Sequence, residues 1–179
     1  MTLPTIFLDR DGVINHDRIG YVASMDEWEP IEGSLEAMAQ LTQAGYPIFV
    51  ITNQSGIGRG YYTLENLVAI HQRMLACVHQ KGGKIVDIYY CPHAPEEHCS
   101  CRKPNPGMLV QCQREHGMDL TQAYFVGDRL TDLQVGDSVG AQAVLVTTGR
   151  GDKTLAALPK SHPYPVYANL SAFVKQMLT

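Results

Sequence analysis

A chain of 179 residues is long enough to bury roughly 70% of its unfolded surface in one core, which calls for a single domain over residues 1–179 without staples. With 45% hydrophobic and 18% charged residues the composition is globular rather than disordered, and its apolar runs are too short to span a bilayer. A net charge of −4 argues against an extended nucleic-acid-binding face, and five cysteines with no export signal ahead of them point to metal binding rather than disulfides. Met1-Thr2-Leu3-Pro4 leads directly into a first strand, so a cytoplasmic monomer with no membrane or nucleic-acid partner is expected.

That strand is Ile6-Phe7-Leu8, a continuous apolar run of the kind buried on both faces of a parallel sheet. It ends in Asp9-Arg10-Asp11-Gly12. The carboxyl ends of strands in open α/β sheets are where ligands bind, so both carboxylates should face a crevice, with the chain leaving the sheet at Arg10 and curling Asp11 back over Asp9. Residues 15–30 lack sustained periodicity and read as an excursion beside that crevice. Leu35, Met38 and Leu41 have the spacing of a helix face, with Ser34 placed to cap its start and Gly45 its end.

A second buried strand over 48–51 ends in Thr52-Asn53-Gln54-Ser55-Gly56. Thr63 can cap a helix bearing Leu64, Leu67, Val68, His71, Leu75 and Val78, which stops at Gly82-Gly83; His71 on that face reads as a core residue rather than a ligand. A third strand over 85–90 runs into Cys91-Pro92-His93 and then Cys99-Ser100-Cys101-Arg102-Lys103. Asn105 before Pro106 predicts a helix start, with its end near Gly117. A fourth strand over 123–126 terminates in Gly127-Asp128-Arg129-Leu130-Thr131-Asp132, a helix follows to Gly140, a fifth strand covers 143–146, and Asn169 can cap a final helix. This alternation predicts an α/β fold: a doubly wound, Rossmann-like parallel sheet with right-handed crossovers, helices on both faces and no large second domain.

Chemical groups therefore terminate four strands, at Asp9, Thr52, Cys91 and Asp128, and one loop adds Lys103. Carboxylates gathered at one edge repel each other, and a divalent cation with few protein ligands, which suits magnesium, is the usual remedy; Asp9, Asp11 and Asp128 are the candidate ligands. A metal, an ammonium and a hydroxyl around a carboxylate make a phosphoryl site. A carboxylate attacking a dianionic phosphoryl group 3–4 Å away faces a penalty on the order of 10 kcal/mol at an effective dielectric near 20, so countercharge is indispensable. On this reading Asp9 is the nucleophile, Asp11 the acid and base, Thr52 a donor to a phosphoryl oxygen, Lys103 the cation, and Asp132 the residue that orients the lysine or the metal's waters.

Asp9-Arg10-Asp11-Gly12, Thr52, Lys103 and Gly127-Asp128 with Asp132, in that order, resemble the four motifs of the haloacid dehalogenase (HAD) superfamily of phosphatases. The strings Thr52-Asn53-Gln54-Ser55-Gly56 and Cys101-Arg102-Lys103-Pro104-Asn105-Pro106-Gly107-Met108 look more narrowly like its heptose bisphosphate and histidinol phosphatase branch, which has loops in place of a large cap. The resemblance implies a small sugar bisphosphate as substrate, a heptose 1-phosphate product for lipopolysaccharide core or a related glycan, and substrate contacts from Asp17, Gly20, Tyr21, Asn53, Gln54, Ser55, Arg102 and Arg129. Arg129 stands where these enzymes often have lysine.

Cys91, His93, Cys99 and Cys101 offer three sulfurs and one imidazole, enough to close a tetrahedral structural zinc site. His98 is a rival nitrogen ligand; the family pattern favours His93. Gly56-Ile57-Gly58-Arg59-Gly60 fits neither nucleotide-loop pattern, leaving Arg59 as a solvated charge, while Cys77 and Cys112 read as small core residues. The alternatives are a histidinol-phosphate phosphatase, a nucleic-acid 3′-phosphatase, against which the acidic balance counts, and a non-catalytic zinc-stapled binding domain.

Overall fold

Ile6, Phe7 and Leu8 form β1 (Ile6–Leu8), fully buried at the centre of a parallel sheet. A computed structural model describes residues 3–179. β1 pairs on one side with β2 (Ile48–Asn53), Ile6 opposite Ile48, and on the other with β4 (Tyr124–Gly127), Ile6 opposite Tyr124. With β3 (Asp87–Cys91), β5 (Gln142–Val146) and β6 (Val166–Tyr167) the order is β3-β2-β1-β4-β5-β6, all parallel. The order reverses between β1 and β4, and a crevice opens there at the carboxyl edge.

Alternation along β1 sends Ile6 and Leu8 into one core layer and Phe7 into the other. The first layer packs against α1 (Ser34–Gln43), α2 (Leu64–Gln80) and α6 (Leu170–Met177) through Met38, Ile70, Met74 and Phe173. The second stacks Phe7 against Phe49 and Phe125, with centroids 5.9 and 6.2 Å away, under α3 (Gly107–His116) and α4 (Leu130–Ser138). Each such side chain contributes about 1.5–3 kcal/mol by leaving water. Cys112 is buried in this layer and Cys77 is half-buried against the other, as expected of small core residues.

Several local expectations hold. Thr63 caps α2, accepting from Asn66 N–H at 3.2 Å while the Asn66 side chain accepts from Thr63 N–H at 3.0 Å. Asn169 caps α6 by accepting from Ala172 N–H at 2.9 Å. Others differ. Gly33 occupies the N-cap of α1, and Ser34 Oγ instead donates to the Val13 carbonyl at 2.9 Å, tying the helix to the loop after β1. Pro106 occupies the N-cap of α3, because the Asn105 amide is drawn off to the Cys99 carbonyl at 2.8 Å. The sequence reading also missed α5 (Gly151–Ala157) and the two-residue β6, which are too short to display a period.

Candidate active site

Asp9 continues the ladder one step past β1, its N–H donating to the Val126 carbonyl at 3.0 Å. The chain then turns, and the N–H groups of Val13, Ile14 and Asn15 all point at the Arg10 carbonyl. Gly12 closes the turn at φ +88°, where a Cβ would stand 2.2 Å from Asp128 Oδ2. Glycine is required twice there, by its backbone conformation and by the approach of the buried Asp128 side chain.

Lys103 is drawn to this turn from the far side. Its main chain is clamped by the Asn53 side chain, which accepts from Lys103 N–H at 3.0 Å and donates to its carbonyl at 3.1 Å. Its side chain is 2% exposed, and Nζ reaches Asp9 Oδ1 at 3.0 Å, Asp132 Oδ1 at 2.7 Å and the Ile51 carbonyl at 2.8 Å. Burial opposes its charge, but Asp132 and Asp9 prevail and raise its pKa above the usual lysine value. Asp132 is fixed in turn by the N–H groups of Asp128 and Arg129, at 3.2 and 3.0 Å on Oδ2. Asp9 Oδ1 also accepts from Arg10 N–H at 2.8 Å, whereas Oδ2 has no hydrogen-bond donor among the described residues.

Oxygens of Asp9, Asp128 and Asp132 lie within 4.8 Å of one another. Burial first, then the neighbouring carboxylates, push Asp9 up to about 7 and Asp128 up to about 8. Asp128 Oδ2 accepts from Arg150 N–H at 2.7 Å, but Oδ1 is buried without a partner among the described residues. An orphaned carboxylate oxygen beside two others fits an oxygen-loving divalent cation, whose charge would restore the ionised forms. The side chain of the third expected ligand lies apart from these oxygens. The Asp11 carboxylate turns away from this cluster to Arg10, Asn15 and Gln54, because the buried guanidinium beside it needs a countercharge. The side chains that could hold magnesium are therefore Asp9 and Asp128, with Asp132 committed to Lys103.

Above the cluster lies a cavity of 220 Å³, smaller than the ~300–1,000 Å³ of drug-sized sites and suited to a compact polar ligand. Of the expected substrate contacts, Asp17 and Tyr21 line it from the excursion, Asn53, Gln54 and Ser55 from the loop after β2, Arg102 from the cysteine loop and Arg129 from the loop after β4. Gly20 is exposed outside its walls. Thr52 is fully buried rather than lining the cavity; its Oγ accepts from Gln54 Nε2 at 2.8 Å. Asp17 Oδ2 is gripped from two sides, by Arg129 Nη2 and Arg150 Nε, each at 3.0 Å.

At the end of β3, Cys91 Sγ lies 3.1 Å from Cys101 Sγ and 3.5 Å from Cys99 Sγ, and His93 Nδ1 lies 3.3 and 3.6 Å from the sulfurs of Cys101 and Cys91. Zinc bonds of about 2.3 Å to sulfur and 2.0–2.1 Å to nitrogen, set tetrahedrally, put ligand atoms roughly 3.5–3.8 Å apart, so this quartet fits zinc. Burial opposes a thiolate at Cys99, yet the Arg102 N–H and the neighbouring thiols bring it down to about 7. His98 is not in the cluster.

A family model described as HAD-hydrolase-like matches residues 100–173. D-glycero-β-D-manno-heptose-1,7-bisphosphate 7-phosphatase of Pseudomonas aeruginosa is 46% identical over 178 residues, covering 99% of each chain. The enzyme of the same name from Neisseria meningitidis serogroup B is 52% identical over 151 residues, 84% of this chain and 81% of its own. The chain belongs to the heptose-1,7-bisphosphate 7-phosphatase family. It is a phosphoric monoester hydrolase of the HAD-like type. The D,D-heptose 1,7-bisphosphate phosphatase of Bordetella bronchiseptica, crystallised with magnesium and phosphate, superposes with a TM-score of 0.93 at 44% identity, covering 98% of each chain.

Two residues of this phosphatase site escaped the sequence reading. Arg10 is entirely buried, and its Nε and Nη2 grip Asp11 at 2.9–3.2 Å. Against the pull of burial, Arg10, Asn15 and Gln54 hold the Asp11 carboxyl below its ordinary pKa. Arg150 lies in the turn after β5, at the same carboxyl edge of the sheet as Asp9, Thr52, Cys91 and Asp128, and that position is its signal in the sequence. Arg59 is the surface charge expected, 3.6 Å from Glu96.

Proposed function

We propose that this protein hydrolyses the 7-phosphate of D-glycero-β-D-manno-heptose 1,7-bisphosphate through an aspartyl-phosphate on Asp9. Asp9 Oδ2, the oxygen without a donor, forms the bond to phosphorus as the bond from phosphorus to the sugar oxygen breaks, and a proton on Asp11 passes to that oxygen. Water then attacks phosphorus and gives its proton to Asp11, the bond to Asp9 breaks, and inorganic phosphate leaves. Asp11 is held ionised at rest, which suits the second step. A dianionic phosphoryl group arriving beside it favours the protonated form needed for the first. Magnesium, held by Asp9 and Asp128, supplies countercharge and Lewis acidity when bound. Lys103 carries the second cation to the transferring group, Asp132 aims it, and the Thr52 hydroxyl has a proton free to donate.

The observation that carries the bisphosphate reading is Arg102. Its Nη1 is buried with no partner among the described residues, in a side chain that lines the cavity beside Lys103. A second phosphate at that end of the substrate would satisfy it. Zinc bound by Cys91, His93, Cys99 and Cys101 would hold the loop that carries both cations. None of the five cysteines is in a disulfide among the described residues, which leaves Cys91, Cys99 and Cys101 available to a metal. No helix of the described residues is long and apolar enough to cross a membrane. The reading is of one domain over residues 1–179 acting as a monomer and without a nucleic-acid partner. Purified protein with magnesium should turn over the heptose bisphosphate in preference to histidinol phosphate and a 3′-phosphorylated oligonucleotide. A preference for either of the latter would overturn the assignment.

A further inference from the structure

α2 brings one side chain to this site that the chemistry above does not use. His71 is 8% exposed, and its Nε2 lies 3.2 Å from Arg10 Nη1. A guanidinium has donors and no acceptor, so the imidazole must accept. Its lone pair is therefore on Nε2 and its proton on Nδ1. Burial and then Arg10 push His71 down to about 3, in keeping with a neutral ring. The Tyr90 ring packs against its edge, 6.3 Å between centroids.

Arg10 distributes its remaining donors around Asp11. Nη2 reaches both Asp11 oxygens, at 2.9 and 3.1 Å, and also Gln54 Oε1 at 3.2 Å. Gln54 returns its Nε2 to Asp11 Oδ2 at 2.9 Å, and the Tyr62 hydroxyl donates to Gln54 Oε1 at 2.5 Å. Tyr62 reaches that far because Gly56 has no side chain; a Cβ there would stand 2.2 Å from the Tyr62 ring. Asp11 is thus held by a network in which Nη1 of Arg10 has His71 as its acceptor.

We propose that His71 is a positioning residue for the proton-transfer step: its neutral Nε2 fixes the rotation of the Arg10 guanidinium, and the guanidinium fixes the Asp11 carboxylate. Without that acceptor, Nη1 is left unpaired in a fully buried site, and the guanidinium must turn to find a partner. Asp11 moves with it. The inference rests on Asp11 being the group that protonates the leaving oxygen.

The dependence on leaving group tests it. A sugar alkoxide needs a proton to depart, whereas the nitrophenolate of 4-nitrophenyl phosphate does not. His71→Leu should lower kcat/KM, which reports the phosphorylation of Asp9 and not its later hydrolysis, about 10- to 100-fold for the heptose bisphosphate, from the cost of displacing a catalytic group by about 1 Å, with kcat/KM for 4-nitrophenyl phosphate changed by less than about threefold. His71→Gln, which restores an acceptor oxygen, should recover most of the lost rate. Equal losses of kcat/KM on both substrates, full activity of His71→Leu, or a folded His71→Gln that fails to recover kcat/KM would overturn the proposal. Asp11→Asn separates the layers of the argument. Indifference to the leaving group in that variant would remove Asp11 as the acid, whereas discrimination by Asp11→Asn without discrimination by His71→Leu would remove the role of His71 alone.

Discussion

Replacing Arg102 by alanine should change which substrate the enzyme prefers rather than whether it works. The main-chain N–H of Arg102 donates to Cys99 Sγ at 3.4 Å, so its backbone, not its guanidinium, supports the cysteine loop. The guanidinium lines the cavity with Nη1 buried and unpartnered among the described residues, while the adjacent Lys103 is fully engaged with Asp9 and Asp132. A charge-assisted hydrogen bond to phosphate is worth about 1.5–3 kcal/mol, and at about 1.4 kcal/mol per power of ten this corresponds to one to two powers of ten in kcat/KM. Only a substrate with a second phosphate can lose that bond. Arg102→Ala should therefore lower kcat/KM for the bisphosphate about 10- to 100-fold and leave that for a small monophosphate within about threefold, with zinc content unchanged. Arg102→Lys, which keeps the charge without the planar fork, should fall between. Steady-state kinetics on both substrates from one preparation decide the matter. Equal losses on the two would show that Arg102 supports the catalytic centre, and the argument from its unpaired nitrogen would fail.

Asp9→Asn should abolish turnover and leave the fold intact, because it removes a carboxylate that burial and Asp132 already push up to about 7; acid-quenched wild-type enzyme should carry phosphate on Asp9, and an active Asp9→Asn protein would exclude the mechanism. Removing magnesium should stop catalysis reversibly without a change in circular dichroism. Stripping zinc should loosen the loop from Cys91 to Cys101 and reduce activity through Lys103; freshly purified, unchelated protein without zinc would refute the site. His71 should make stability fall with acid: the unfolded residue takes up its proton near 6.5, the folded one only at about 3, so protons favour the unfolded chain between those values. The loss is about 1.4 kcal/mol per pH unit, or roughly 2 kcal/mol from pH 6.5 to 5, and should appear as a steeper acid dependence of urea unfolding in wild type than in His71→Gln.

The parts of this site readable in the sequence are those set by position along a strand. Asp9 and Asp128 stand at strand ends because β1 and β4 are short, apolar and parallel, and Lys103 is delivered by a loop whose cysteine spacing is itself informative. The loop conformations were less legible. Asn105 is as good a cap in sequence as Thr63, yet its amide is taken by the Cys99 carbonyl, a partner that exists only once the cysteine loop is folded. Thr52 stands at the expected strand end, but whether its hydroxyl lines the cavity depends on Gln54 folding over it.

Least legible was how the charges divide among themselves. Asp11 lies two residues from Asp9 and was assigned to the same cation, but its own neighbour Arg10 is buried with it and claims both its oxygens. Nothing local reveals that Arg10 is buried, since the acceptor that completes its coordination, His71, is 61 residues away on α2. Hydrophobic period correctly put His71 on the inward face of that helix, and on pattern alone an inward histidine is a core residue. The period gives the face, while the role depends on what the opposite element presents. Opposite His71 is the buried Arg10 guanidinium, whose Nη1 meets the imidazole at 3.2 Å, so a packed side chain joins the network around Asp11. Strand ends thus reveal which acids and bases assemble, and the allotment of Asp9 to Lys103 and Asp11 to Arg10 follows from contacts that only the folded sheet creates.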